Sequence, residues 1–134
     1  MNRPNKLNGL RHLALVVENL EACEAFYIDV LGMNVLRRAN ANLIYLTCGN
    51  DNLSLSRGTP STIKPQPLDH FGFLVVSKEK LDEWHQYLLS SGAPMLDTPH
   101  DHQDGARSFH VKDPAGNVIQ LIYHPDISEQ KFTH

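Results

Sequence analysis

One order of elements occurs twice along this chain, and any fold must house both copies. Leu10 to Val17 reads as a strand, Asn19 as a helix N-cap, and Leu20, Cys23, Phe26, Tyr27, Val30 and Leu31 recur at helical spacing up to Gly32. Three strand-like runs follow at about 34–39, 42–48 and 52–57, separated by turns containing Asn and Gly. The order then restarts. Leu68 to Val76 is a strand and Ser77 a cap; Leu81, Trp84, Leu88 and Leu89 form an apolar helix face that ends at Gly92 and Pro94. Runs near 95–100, 106–112 and 117–124 complete the second unit. The pattern predicts an α+β fold of two tandem βαβββ modules, about 8–58 and 68–125, with helices over 19–31 and 78–91. A proline-rich linker over 59–67 joins them, and the 134 residues suit one domain spanning 1–134.

The two copies can be put in register. His12 lies seven residues before the cap Asn19, and His70 seven before the cap Ser77. Asn52-Leu53-Ser54-Leu55-Ser56 aligns with Val118-Ile119-Gln120-Leu121-Ile122, which makes Ser54 and Gln120 equivalent. Side chains alternate faces along a strand, so Leu13, Leu15 and Val17 oppose His12 and Ala14, and Phe71, Phe73 and Val75 oppose His70 and Gly72. Leu53 and Leu55 likewise oppose Ser54, and Ile119 and Leu121 oppose Gln120. An amphipathic helix needs an apolar sheet face to cover, which places the helices on the outer face. His12, Ser54, His70 and Gln120 then line the other side, a curved mixed sheet with a concave polar cleft. Ala14 and Gly72 leave room beside them, and Val16, Leu74, Val118 and Ile122 keep the cleft partly apolar, as small-molecule sites usually are.

Charge narrows the partners. Fifteen acidic against twelve basic residues, with no basic run longer than Arg37-Arg38, give no footprint for nucleic acid. The first ten residues lack the apolar core of a signal peptide, and no run approaches the roughly 18 apolar residues of a membrane span. The expectation is a cytoplasmic protein that engages neither nucleic acid nor membrane, with Cys23 and Cys48 as free thiols. No glycine-rich phosphate loop, thiol nucleophile or Ser-His-Asp arrangement is evident.

His12 in RHLALVV, His70 in LDHFGFLVV and the closing DPAGNVIQL, set in paired βαβββ units, resemble the vicinal oxygen chelate superfamily over about residues 8–125. That superfamily includes glyoxalase I, methylmalonyl-CoA epimerase, extradiol dioxygenases, fosfomycin-resistance thiol transferases and bleomycin-binding proteins. The resemblance implies a homodimer and a divalent metal held from positions that map to His12, Ser54, His70 and Gln120. Lyase and epimerase branches use all four, with a carboxylate at the last and often at the second; dioxygenase and fosfomycin branches use His, His and Glu at the positions of His12, His70 and Gln120. This chain keeps both histidines and has a carboxylate at neither remaining position.

The expected metal ligands are therefore His12, His70 and Gln120, with Ser54 as a small polar residue of the pocket wall. His110 on the seventh strand, and Tyr45 at a comparable place on the third, are the candidates for proton transfer. His100 and His102 fall in an Asp- and Gly-rich loop and are read as solvated; His85, His124 and His134 are read as structural or solvent-facing. Two imidazoles and an amide leave the metal's charge uncompensated, which favours an anionic, oxygen-bearing metabolite and Fe, Mn, Ni or Zn over Ca. The resemblance also admits a rival, a metal-free module of the bleomycin-resistance type that binds a small molecule in the same cleft.

Overall fold

The computed structural model describes residues 2–4, 7, 9–61 and 68–129. Its first half runs β1 (His12–Val17), α1 (Leu20–Ala25), a π-helical turn (Phe26–Val30), β2 (Asn34–Asn40), β3 (Leu43–Thr47) and β4 (Asn52–Arg57). The second runs β5 (Phe71–Leu74), α2 (Lys78–Ser90), β6 (His100–Asp101), β7 (Arg107–Lys112) and β8 (Val118–Tyr123). Each half builds its own four-stranded mixed sheet, in the orders β1-β4-β3-β2 and β5-β8-β7-β6. In both, the lead strand lies parallel to the last strand and the other pairs are antiparallel. A parallel pair needs a crossover, and in each half the helix and the intervening strands supply it.

The register within the sheets confirms the equivalence of the halves. Ala14 and Tyr45 flank Ser54 in one sheet, and Gly72 and His110 flank Gln120 in the other. The helix-facing residues Leu15, Val17, Ile44, Leu46, Leu53, Leu55, Phe109, Val111, Ile119 and Leu121 are buried, together with Leu20 and Cys23 of α1 and Leu81 and Leu88 of α2. Both modules contribute to this single cluster. The opposite faces are open: His12, Ala14, Val16, Gly72 and Leu74 are exposed.

Three elements differ from the sequence reading. Asn19 makes no side-chain cap; its amide instead donates to the Pro114 carbonyl at 2.9 Å in the other module, while Ser77 does cap α2, its hydroxyl accepting from Lys80 N at 3.1 Å. The first helix is α-helical only to Ala25 and then widens, with Leu31 N donating to Phe26 O and Met33 N to Tyr27 O, both at 2.9 Å. The wide turn lets the adjacent residues Phe26 and Tyr27 both turn inward and be buried. The strand expected near 95–100 shrinks to His100–Asp101, with a lone bridge between Met95 and Val111. Pro94 and Pro99 have no N–H to give a ladder. Most of the expected linker, 62–67, and His134 lie outside the described residues.

One polar contact between the halves is made by Asp113, which is 2% exposed. One carboxylate oxygen accepts from the Tyr27 hydroxyl at 2.7 Å and Asn117 Nδ2 at 2.9 Å; the other accepts from the backbone N–H groups of Ala115 and Asn117 at 2.9 and 2.8 Å. Burial, reinforced by the Asp113 charge, holds the Tyr27 hydroxyl protonated far above its ordinary range.

Candidate functional site

Three histidines on the open faces share one feature: an acceptor holds Nδ1. His12 Nδ1 lies 3.1 Å from the Asn52 carbonyl oxygen and 3.0 Å from its side-chain oxygen. His70 Nδ1 lies 2.6 Å from Asp69 Oδ2. His110 Nδ1 lies 2.8 Å from Asp97 Oδ2, and the same carboxylate takes the His110 backbone N–H through Oδ1 at 2.5 Å. Carbonyls and ionised carboxylates only accept, so Nδ1 carries the proton in each neutral ring and Nε2 keeps its lone pair. None of the three Nε2 atoms has a hydrogen-bond partner among the described residues. A ring pinned through one nitrogen with a lone pair on the other is how proteins present histidine to a metal.

The predicted residues fall into two groups. His70, His110 and Gln120 gather on the second sheet: Gln120 is the cross-strand neighbour of His110, and the His70 and His110 rings stand 5.2 Å apart with planes at 89°. Gly72 makes this arrangement possible, because a Cβ there would sit 2.9 Å from the Gln120 carbonyl oxygen, so only glycine lets β5 lie against β8 as it does. On the first sheet Tyr45 and Ser54 are neighbours, and Ser54, at 8% exposure, is more covered than a residue of an open wall. His12 and His70 both border a cavity of about 1470 Å³ between the lead strands, also lined by Phe71, Leu74, Cys48 and Asn52. A smaller cavity of about 610 Å³ meets Asp69 and His70 from the other side, walled by Val16, Asn19 and the turn 114–118.

The other expectations resolve simply. His85 is buried against Phe109, ring centres 5.1 Å apart. His100 and His102 are exposed, their ring centres 4.7 Å apart with planes tilted by 56°, and His102 Nε2 lies 2.7 Å from the Ser108 hydroxyl oxygen. Both cysteines are free; burial raises the Cys23 thiol to about 12, which leaves it unreactive. Among the described residues no helix is long and apolar enough to cross a membrane. Sequence reasoning missed Asp69 and Asp97. Asp69 had a signal in its adjacency to His70; Asp97 had only its place between two prolines.

Paired βαβββ sheets define a fold rather than one reaction. The chain belongs to the Glyoxalase/Bleomycin resistance protein/Dioxygenase superfamily, which it matches over residues 9–121. It is 28% identical over 122 residues to 2,2',3-trihydroxybiphenyl dioxygenase of Sphingomonas paucimobilis, covering 87% of this chain but only 42% of that protein. It is 31% identical over 118 residues to glutathione transferase FosA of Serratia marcescens, covering 86% of this chain and 80% of the other. Among solved structures, the lactoylglutathione lyase of Agrobacterium tumefaciens aligns with a TM-score of 0.76 and 25% identity over 96% of this chain and 100% of that one.

Proposed function

We propose that this protein is a metal-dependent enzyme of the superfamily, acting on a small anionic metabolite that offers two vicinal oxygens. The observation that carries the proposal is the common presentation of His12, His70 and His110, each with Nδ1 held and Nε2 unpartnered among the described residues. Its metal donors are drawn from His12, His70 and the Gln120 side-chain oxygen, the positions the family relationship implies. Those residues would hold a divalent metal, whose contribution when bound would be Lewis-acid stabilisation of negative charge on the substrate oxygens. The chain's own part is to orient and to shelter. Asp69 and Asn52 fix the rings of His70 and His12, Phe71 and Leu74 give the cavity apolar wall, and Tyr45 and His110 stand at equivalent register positions from which a proton can be exchanged with a ligand. The imidazoles suit Fe, Mn, Ni or Zn.

Metal content of untagged protein purified without chelator tests this. Near-stoichiometric transition metal, restored by Mn, Ni or Zn after chelation, is the expected result; flat titrations with all three metals would overturn it. One observation favours a second reading, a metal-free binding module. Among the described residues no three His, Cys, Asp or Glu side chains are gathered as a metal site, so an ion needs the Gln120 amide or the substrate to complete its shell. Val16, Leu74 and Val76, 39%, 50% and 67% exposed, support a further part of the proposal. A second copy of the chain covers these open faces, making the working unit a homodimer.

A further inference from the structure

We infer that the larger cavity takes an organic carboxylate with an apolar body, and that Arg11 selects it by pairing with the carboxylate. The inference rests on the reading of the site above and names a partner for the anionic group of the substrate. At about 1470 Å³ the cavity exceeds the roughly 300–1,000 Å³ of most small-ligand sites, so it has room for a body beyond the oxygens presented to the histidines. Strands β1 and β5 are each the terminal strand of their sheet. Residues from both faces of each line the cavity, His12 and Leu13 on β1, Phe71 and Gly72 on β5. It therefore runs along two strand edges, where one molecule can meet the histidines and an apolar wall together. Leu68, Phe73 and Ile127 extend that wall, and the rings of Phe71 and Phe73, 6.2 Å apart with planes at 57°, offer aromatic surface on which an apolar body can pack.

Charge separates the two cavities. Among the described lining residues Arg11 is the one Lys or Arg, and it borders only the larger cavity. The charged residues of the smaller cavity are Glu18 and Asp69, both acidic, which repel an anion. The repeat sharpens the contrast: Arg11 stands directly before His12 as Asp69 stands directly before His70. Asp69 is turned onto its own histidine, whereas Asn52 holds His12, so the arginine has no part in orienting that ring. Asp51, the one carboxylate on the wall of the larger cavity, has Oδ1 taken by Cys48 N at 2.6 Å and Thr47 Oγ at 3.1 Å in the turn before β4. The Arg11 backbone is anchored, its carbonyl accepting from Asn52 N at 2.8 Å. Gly9, at φ +90°, bends the chain so that a Cβ there would lie 3.4 Å from Arg11 Nε, and without one the arginine stem lies alongside it. A guanidinium presents a planar fork of N–H donors that matches both oxygens of a carboxylate, and donors remain for a ligand when one serves the protein.

Calorimetry and NMR on the full chain test this with 2-naphthoate, its uncharged amide and acetate, in protein as purified and again after chelation. Expected is naphthoate binding that survives chelation, moves the Arg11 Nε–Hε resonance and weakens as salt rises. The amide should bind roughly ten-fold more weakly, and acetate, a head without a body, about a hundred-fold more weakly. Arg11→Gln should weaken naphthoate by roughly ten-fold and leave the amide unchanged, while Leu68→Ser, at a position 41% exposed, should weaken both alike. Equal affinity for naphthoate and its amide, or full naphthoate affinity in Arg11→Gln, would overturn the inference. Binding lost on chelation would place the carboxylate on the metal and overturn the role of Arg11 while supporting the metal-dependent reading. That reading has its own metal titration, so its failure leaves the chelated measurements standing. Should Arg11→Gln fail to fold, the comparison of acid with amide on the wild-type protein decides the question.

Discussion

At the scale of single residues, the histidines were legible and their supports were not. His12 and His70 could be paired because each stands a fixed distance before a helix start, and a duplicated unit repeats that distance. Gln120 stood out as an amide among aliphatic residues. Asp97 could not be assigned, since its partner His110 is thirteen residues away across a stretch that Pro99 interrupts, and no periodicity reports such a contact. Asp113 carries the clearest energetic prediction. Tyr27→Phe removes one of four donors to a buried carboxylate and should cost about 1.5–3 kcal/mol, while Asp113→Ala leaves all four donors without their acceptor and should cost about 3 kcal/mol or more. Urea unfolding measures both. Equal costs would mean that the Tyr27 hydroxyl supplies the whole contribution of the cluster.

At the scale of elements, alternation and helical spacing located both helices and seven strands well, because burial on one face enforces those periods. The π-helical turn escaped because a single period was applied across Leu20 to Leu31; the adjacent apolar pairs Phe26-Tyr27 and Val30-Leu31 were its signal, since a uniform α-helix turns neighbours about 100° apart. How α1 is held to its sheet gives a pH prediction. Both oxygens of Glu21 meet the Arg57 guanidinium on β4, whose Nε also donates to Asn42 at 3.0 Å. Arg57 holds the Glu21 carboxyl down to about 2. A lowered folded value means that the pair stabilises fully above the ordinary value of 4.5 and loses its effect as pH falls toward 2. Glu21→Gln should therefore lower Tm slightly near neutral pH, solvent screening keeping the change small, and the gap should close on acidification. Thermal melts across that range check it, and a gap insensitive to pH would assign the contact to packing instead of charge.

At the scale of the whole molecule, the repeat fixed the architecture, but it does not state how many copies make a working unit. The proposed homodimer predicts that Leu74→Asp, which charges an exposed position on the open face of β5, shifts sedimentation from about twice the 15.1 kDa chain mass toward one chain. The fold should survive, because Leu74 lies outside the buried cluster. A wild-type protein that sediments as a single chain at micromolar concentration would remove the dimer. Within the chain, the bond from Tyr27 to Asp113 has a different consequence. The halves are alike in topology, yet the bond is unsymmetrical, a phenol in one and a sequestered carboxylate in the other. Fragments from a gene split between the modules would each leave one partner of that bond unmet, so mixing them should stabilise both.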